Sequence, residues 1–293
     1  MIRKLISALI VTIWIGGILN LRYGSSPNIL ILMAVFVLWF AGITAREKVH
    51  FGFIKKIDYQ CTRFLDAMGD KTLFFNVWIL GFLCFMPAFI AFFPGIFGYD
   101  APAQFAMFMG QIPFQSATHP LFHTLLIGGV ISFGKMIFGS YQAGFVCLVI
   151  LQGILISNCM AFVFLFLRKR NVPILIILLG FLWLIGNPYI QILNCNVTKD
   201  VMFGVFFTDF VMAVMHGYEK EKLNFLDIAA VFVSGLLMCL FRNGLVLAVI
   251  ILLICSLLLR MKKRRIYLTY VGIILFVELF SFSFRLLGGN REG

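Results

Sequence analysis

An isolated carboxylate, Asp100, stands in the stretch FFPGIFGYDAPAQ, between two segments that are almost pure hydrocarbon. His119 follows in SATHPLFHTLL, Lys199 and Asp200 in NCNVTKD, and Arg242 in CLFRNGLVL. An ionisable group beside hydrocarbon is costly unless paired or solvated, so each is a functional candidate. Asp100 could act as a general base toward an acceptor hydroxyl, or hold a divalent cation such as Mg or Mn. His119 could serve as an acid–base group, a phosphate partner or a metal ligand. Lys199 and Arg242 could hold a phosphate or pyrophosphate, Lys as a point charge and Arg through its bidentate fork. His123, four residues after His119, would share a helix face with it, but two histidines without a third ligand do not make a metal site.

Each residue also has a plain structural use. Asp100 could cap a helix beginning at APAQFAMFMG, and His119 before Pro120 could be a turn residue. Lys199 and Asp200 could neutralise each other at a helix start, and Arg242 could snorkel to an interface. Asp209 and Glu278 lie within apolar runs and acquire no role. The chemical case rests on whether the folded chain brings Asp100, His119, Lys199 and Arg242 together.

The elements that must do so are apolar helices. Of 293 residues, 62% are hydrophobic and 12% charged, with a mean hydropathy of +1.03. A soluble domain carries about 25% charged residues. Runs such as ILILMAVFVLWFAGITA do not alternate as strands of a membrane barrel would, so the fold class is an all-α, polytopic transmembrane helical bundle. The expected spans are 4–20, 28–45, 72–93, 143–167, 172–187, 201–217, 225–241, 244–260 and 266–285. The basic start of the first is that of a retained span, because no small-residue cleavage site follows it. The seven Cys form no CxxC pair and are expected as small core residues.

One apolar segment, 121–139, does not fit as a tenth span. If it crossed, Arg168–Arg170 and Arg260–Arg265 would fall on the outside. If it lies at the interface or re-enters, most of the 24 Lys and Arg share one side. The positive-inside rule then gives about nine spans plus one interfacial or re-entrant helix, a cytoplasmic N-terminus and an extracytoplasmic C-terminus. Topology thus accounts for the net charge of +12, and no nucleic-acid partner is expected. Asp100, His119, Lys199, Asp200 and Arg242 all fall at the extracytoplasmic face.

The order PGIFGYDAPAQ, HPLFHTLL, TKD and RNG resembles the first outer loop and following core of GT-C class integral membrane glycosyltransferases. More narrowly it resembles the bacterial DUF6020 group, over about residues 72–260. The resemblance implies a multi-pass protein of the plasma membrane that uses a polyprenyl-phosphate sugar donor. It would transfer the sugar to an extracytoplasmic acceptor, a cell-surface polysaccharide, teichoic acid or lipid. It makes Asp100 catalytic, as base or metal ligand, with His119 supporting the same loop. Lys199 and Arg242 would contact the donor phosphate, and Tyr99, Gln104, Asp200 and Asn243 would support them. Residues 1–71 would form an N-terminal hairpin of two spans with a basic cytoplasmic linker, and 72–293 the GT-C-like core in contact with membrane lipids. The group implies a longer chain; this one ends at RLLGGNREG, as a truncated member would.

Two other functions fit the same composition. A transporter or flippase would use charges within the membrane, for which Asp209 and Glu278 are the candidates. A non-catalytic subunit of a cell-envelope polysaccharide machine would need no reactive Asp100.

Overall fold

The computed structural model describes residues 12, 33–34, 36–37, 52–98, 100–115, 118–259 and 263–286. Tyr99 lies outside the described residues, as do nearly all of the expected spans 4–20 and 28–45. The chain divides into two compact units, residues 1–60 and 61–293. In the first, Thr12, Met33, Ala34, Phe36 and Val37 are helical, and helix α1 (Gly52–Asp66) begins there. The second unit carries α2 (Asp70–Ala91), α3 (Ala101–Phe108), α4 (Leu121–Phe138), α5 (Tyr141–Arg168) and α6 (Ile174–Gly186). It continues with α7 (Pro188–Asn194), α8 (Lys199–Glu219), α9 (Phe225–Phe241), α10 (Val246–Leu258) and α11 (Arg264–Leu286). Among the described residues the one departure from helix and loop is an isolated parallel bridge between Ile96 and Asn196.

Among the described residues, five helices, α2, α4, α5, α8 and α11, are long and apolar enough to cross a membrane. The pair α6–α7, bent by 63° at Asn187, makes a sixth if taken as one span. Pro188 explains the break: it has no N–H to continue α6, and Asn187 instead caps α7 by accepting from Tyr189 N at 3.0 Å. α9 and α10 are apolar but shorter, 17 and 13 residues. The chain is thus an all-α protein of multi-pass membrane type.

Ion pairs mark one end of this bundle. Arg168 reaches Asp66 at 2.8 Å and Asp70 at 3.6 Å, Lys169 reaches Asp70 at 2.9 Å, and Arg170 pairs with Glu219. Lys220 holds Asp227 at 2.8 Å. The start of α2, the ends of α5 and α8 and the start of α9 therefore meet there. The basic clusters at 168–170 and 220–222 belong to this end. Asp100, Lys199 and Arg242, at the other ends of the same helices, lie opposite.

The same connectivity locates α4. It starts just after His119, beside Asp100, and ends one turn before α5, which runs to the basic end. α4, with 18 residues, is itself long and apolar enough to cross a membrane. Gly139 makes the turn with φ +74°, and the Ser140 side chain caps α5 by accepting from Ala143 N at 3.1 Å. Glycine lets the two helices touch: a Cβ on Gly144 would lie 2.3 Å from the Ile131 carbonyl oxygen.

Packing fills the layers between. Phe85, Phe89, Ile127, Ile131, Leu148 and Val149 form the core nearest Asp100. Leu73, Val77, Phe164, Ile177 and Phe181 pack α2, α5 and α6 nearer the basic end. Phe210, Val231, Met238, Tyr270 and Ile273 join α8, α9 and α11. Of the cysteines, Cys159, Cys195 and Cys239 are buried as expected, whereas Cys147 and Cys255 are exposed.

Candidate functional site

Two loops separated by about a hundred residues are stitched together to make the site. Ile96 N donates to Cys195 O at 2.9 Å, and Val197 N donates back to Ile96 O at 3.4 Å. Gln152, in the middle of α5, donates to Asn194 O at 2.8 Å and to Asn196 O at 3.0 Å. Gly95 makes the approach possible: its φ is +122°, and a Cβ there would sit 2.6 Å from Val149 Cγ2. Once Ile96 and Asn196 are side by side, Asp100 and Lys199 follow within a few residues on each strand of chain, and their side chains meet.

Lys199 Nζ donates to Asp100 Oδ2 at 2.8 Å and to Thr118 O at 2.9 Å. Asp100 occupies the N-cap position of α3 but makes no capping bond. Its carboxylate is given to Lys199 instead, so the cap reading fails. The Lys199 ammonium holds the Asp100 carboxyl below the usual carboxylate range, outweighing the partial burial that acts in the opposite direction. The pair is accessible, with 45% of the Asp100 side chain exposed.

Behind the pair lies a buried polar chain. His119 Nδ1 is 3.9 Å from Asp100 Oδ2, too far for a hydrogen bond. Its partner is Gln104, which is fully buried and lies 3.3 Å away through Nε2. The other end of the same amide, Oε1, lies 2.8 Å from His123 Nδ1. An amide donates at one end and accepts at the other. One imidazole must therefore carry its proton on Nδ1 and the other must not, whichever way the amide is turned. Gln104 forces the two histidines into opposite tautomers. Burial lowers the His119 pKa, Asp100 raises it and Lys199 lowers it, for a net shift below the ordinary histidine value. His119 precedes α4, which starts at Leu121, so the two histidines do not share a helix face; they converge on Gln104 instead.

Lys199 and Asp200 do not neutralise each other. Asp200 accepts from Arg242 Nη1 at 2.7 Å, and the Arg242 guanidinium also lies 5.1 Å from the centroid of the Phe203 ring. Asn243 follows in the exposed turn that Gly244, at φ +82°, closes before α10. The preceding residue, Phe241, anchors this turn. Its ring packs against Phe206, Phe122 and His123 at centroid distances of 5.3, 5.2 and 5.7 Å. The structure thus brings Asp100, Gln104, His119 and Lys199 into one cluster and ties Asp200 and Arg242 to its rim. Both candidate phosphate-binding cations are already paired with carboxylates.

Lys199 engages one oxygen of the Asp100 carboxylate, Oδ2, and Gln104 engages Nδ1 of His119. Among the described residues no group of three or more His, Cys, Asp or Glu is placed to hold a metal. No step below passes through a metal.

Two residues of the site escape a reading of the sequence alone, Gln152 and Phe241. The signal for Gln152 was present: a lone amide in the run LVILQGILI must find partners to be buried. Nothing in the sequence distinguishes Phe241 from the other 34 phenylalanines.

Fold and site define a multi-pass helical membrane protein with a polar cluster at the end opposite its basic loops. Residues 113–289 match the family of unknown function DUF6020, and the chain belongs to that family. No curated protein and no solved structure matches it. His119, Lys199, Asp200, Arg242 and Asn243 lie within the matched residues, whereas Asp100 and Gln104 precede them.

Proposed function

We propose that this protein is a GT-C type membrane glycosyltransferase, moving a sugar from a polyprenyl-phosphate donor to an acceptor hydroxyl outside the cytoplasm. The observation that carries the proposal is the accessible Asp100–Lys199 pair, with Arg242 and Asp200 on the same end. In the resting state Lys199 depresses the basicity of Asp100. An incoming donor phosphate competes for Lys199 and Arg242, and the released carboxylate regains its ordinary proton affinity. Asp100 then takes the proton of the acceptor hydroxyl as that oxygen bonds to the anomeric carbon. The bond between the anomeric carbon and the phosphate oxygen breaks, and the charge left on the polyprenyl phosphate rests against Lys199 and Arg242. His119, held neutral by burial and oriented through Gln104, supports the loop that presents Asp100.

The proposal places the basic end in the cytoplasm, with about nine spans in all and α4 lying along the outer face. The sugar acceptor would be a cell-surface polysaccharide, teichoic acid or lipid. The test compares surface glycans by mass spectrometry in cells with the gene deleted, restored, and restored as Asp100→Asn. A glycan lost on deletion should return with the native chain and stay at least ~100-fold reduced with the variant, the size of a lost general base. Full restoration by Asp100→Asn, at equal amounts in the membrane, would remove Asp100 as the base.

A transporter is the second reading, and Asp209 favours it. This carboxyl lies within α8, and its Oδ1 is buried with no hydrogen-bond partner among the described residues. Uptake or export that fails in Asp209→Asn but survives in Asp100→Asn would select that reading.

A further inference from the structure

The cations at the basic end fall into two groups. Arg168, Lys169, Arg170 and Lys220 each lie against a carboxylate. Lys222, Lys263, Arg264 and Arg265 do not, among the described residues. These four instead line one cavity of about 410 Å³, together with Leu223 and a single carboxylate, Glu221. The loop between α8 and α9 forms one wall and the start of α11 the other.

The walls are tied together. Lys263 Nζ donates to Lys220 O, and Arg265 Nη1 donates to Leu223 O at 2.8 Å. The cavity therefore does not depend on free side chains meeting by chance. A basic end suffices to set the orientation of a membrane protein, but it needs only charge near the surface and not a shared cavity. Bringing four cations around one space with one carboxylate costs repulsion that a bound anion would relieve. At ~30 Å³ per water, the space equals roughly a dozen waters, which is ample for a phosphate ester. Two guanidinium forks and two ammonium groups are the donors that phosphate recognition uses.

We propose that this cavity binds a phosphate-bearing anion, either the headgroup of an anionic membrane lipid or free phosphate. It lies at the end opposite Asp100 and stands whether or not the chain transfers sugars. The apolar helix α11 leaves directly from the cavity wall, so a lipid held there would have its tails beside a membrane-spanning surface.

The test uses the full chain purified in a neutral detergent, with thermal unfolding as the readout. Dioleoyl phosphatidic acid, dioleoyl phosphatidylcholine and inorganic phosphate are each titrated. The unfolding midpoint should rise with phosphatidic acid and not with phosphatidylcholine. A rise with phosphatidic acid alone assigns the site to a lipid headgroup, and a comparable rise with inorganic phosphate assigns it to the free anion. The variant Lys222→Gln/Arg264→Gln, whose side chains hold nothing else among the described residues, should need about tenfold more ligand for the same rise. The control Lys169→Gln/Arg63→Gln removes the same charge from this end outside the cavity and should leave the titration unchanged. No rise with either phosphate compound, or equal weakening in variant and control, overturns the proposal.

Discussion

At the scale of single residues, the side chains that could do chemistry were legible because each is out of place. Asp100, His119, Lys199 and Arg242 interrupt apolar surroundings, and a charge there must be answered by something. What answers it was not legible. Lys199 sits beside Asp200 in the chain, yet its partner is Asp100, 99 residues away. Arg242 takes Asp200 instead. No local pattern contains such a pairing, because it depends on which loops the helices bring together. The buried imidazole of His119 yields a prediction at this scale. Its pKa is lowered in the folded chain, so on acidification the unfolded chain binds the proton first. Stability should fall as pH drops below about 6.5, the ordinary histidine value, toward the lower folded-state value. Asp100 is shifted the same way from a lower starting point, so its pair with Lys199 persists until pH falls below the usual carboxylate range of about 4. The midpoint of thermal unfolding should therefore fall between pH 7 and 5, and His119→Gln should flatten that fall. An unaltered slope in the variant would show that His119 does not carry it.

At the scale of elements, hydropathy located the helices well because a membrane span must be long and apolar. The expected segment 225–241 is α9 to the residue, and 201–217 lies inside α8. The breaks and contacts between helices were less visible. The bend at Asn187–Pro188 has a clear cause in Pro188, but the run 172–187 looked like a plain span because its hydropathy does not change there. The contact of α4 with α5 depends on Gly134 and Gly144, whose role emerges only when both helices are placed. Gly144 has the backbone of Ile131 where its side chain would be, whereas Gly129 on α4 has nothing within 4 Å of that position. Gly144→Val should therefore destabilise the protein by about 3 kcal/mol, at the upper end for overpacking, because a backbone carbonyl cannot move aside as a side chain can. Gly129→Ala should be tolerated and even stabilise α4 by about 0.5–1 kcal/mol through helix propensity. Denaturant titration of the two variants in the same detergent checks both; similar losses would mean that the close approach of α4 and α5 is not what Gly144 serves.

At the scale of the whole molecule, the decisive feature is that its two polar ends differ in kind. One end holds cations paired with carboxylates and, among the described residues, four that are not; the other holds two carboxylate–cation pairs and a buried amide–imidazole chain. The helices α2, α8 and α9 connect the two ends, while α4 begins beside Asp100 and ends at the start of α5. A segment apolar enough to cross would spoil the charge asymmetry if it did so. It also makes the sidedness testable without reference to activity. With the native cysteines replaced, single cysteines at Gln111 and Lys135 should react with a membrane-impermeant maleimide from outside intact cells. Cysteines at Lys169 and Lys222 should react only after the cells are opened. Gln111 precedes α4 and Lys135 lies in its last turn, so labelling of one from outside and the other only from inside would mean that α4 crosses. In that case the arms of the bundle would have to be reassigned, and Asp100 and Lys199 would still meet but on a side the charge pattern does not determine. Labelling of both from outside would put the accessible Asp100–Lys199 pair on the face that the proposed extracytoplasmic transfer requires.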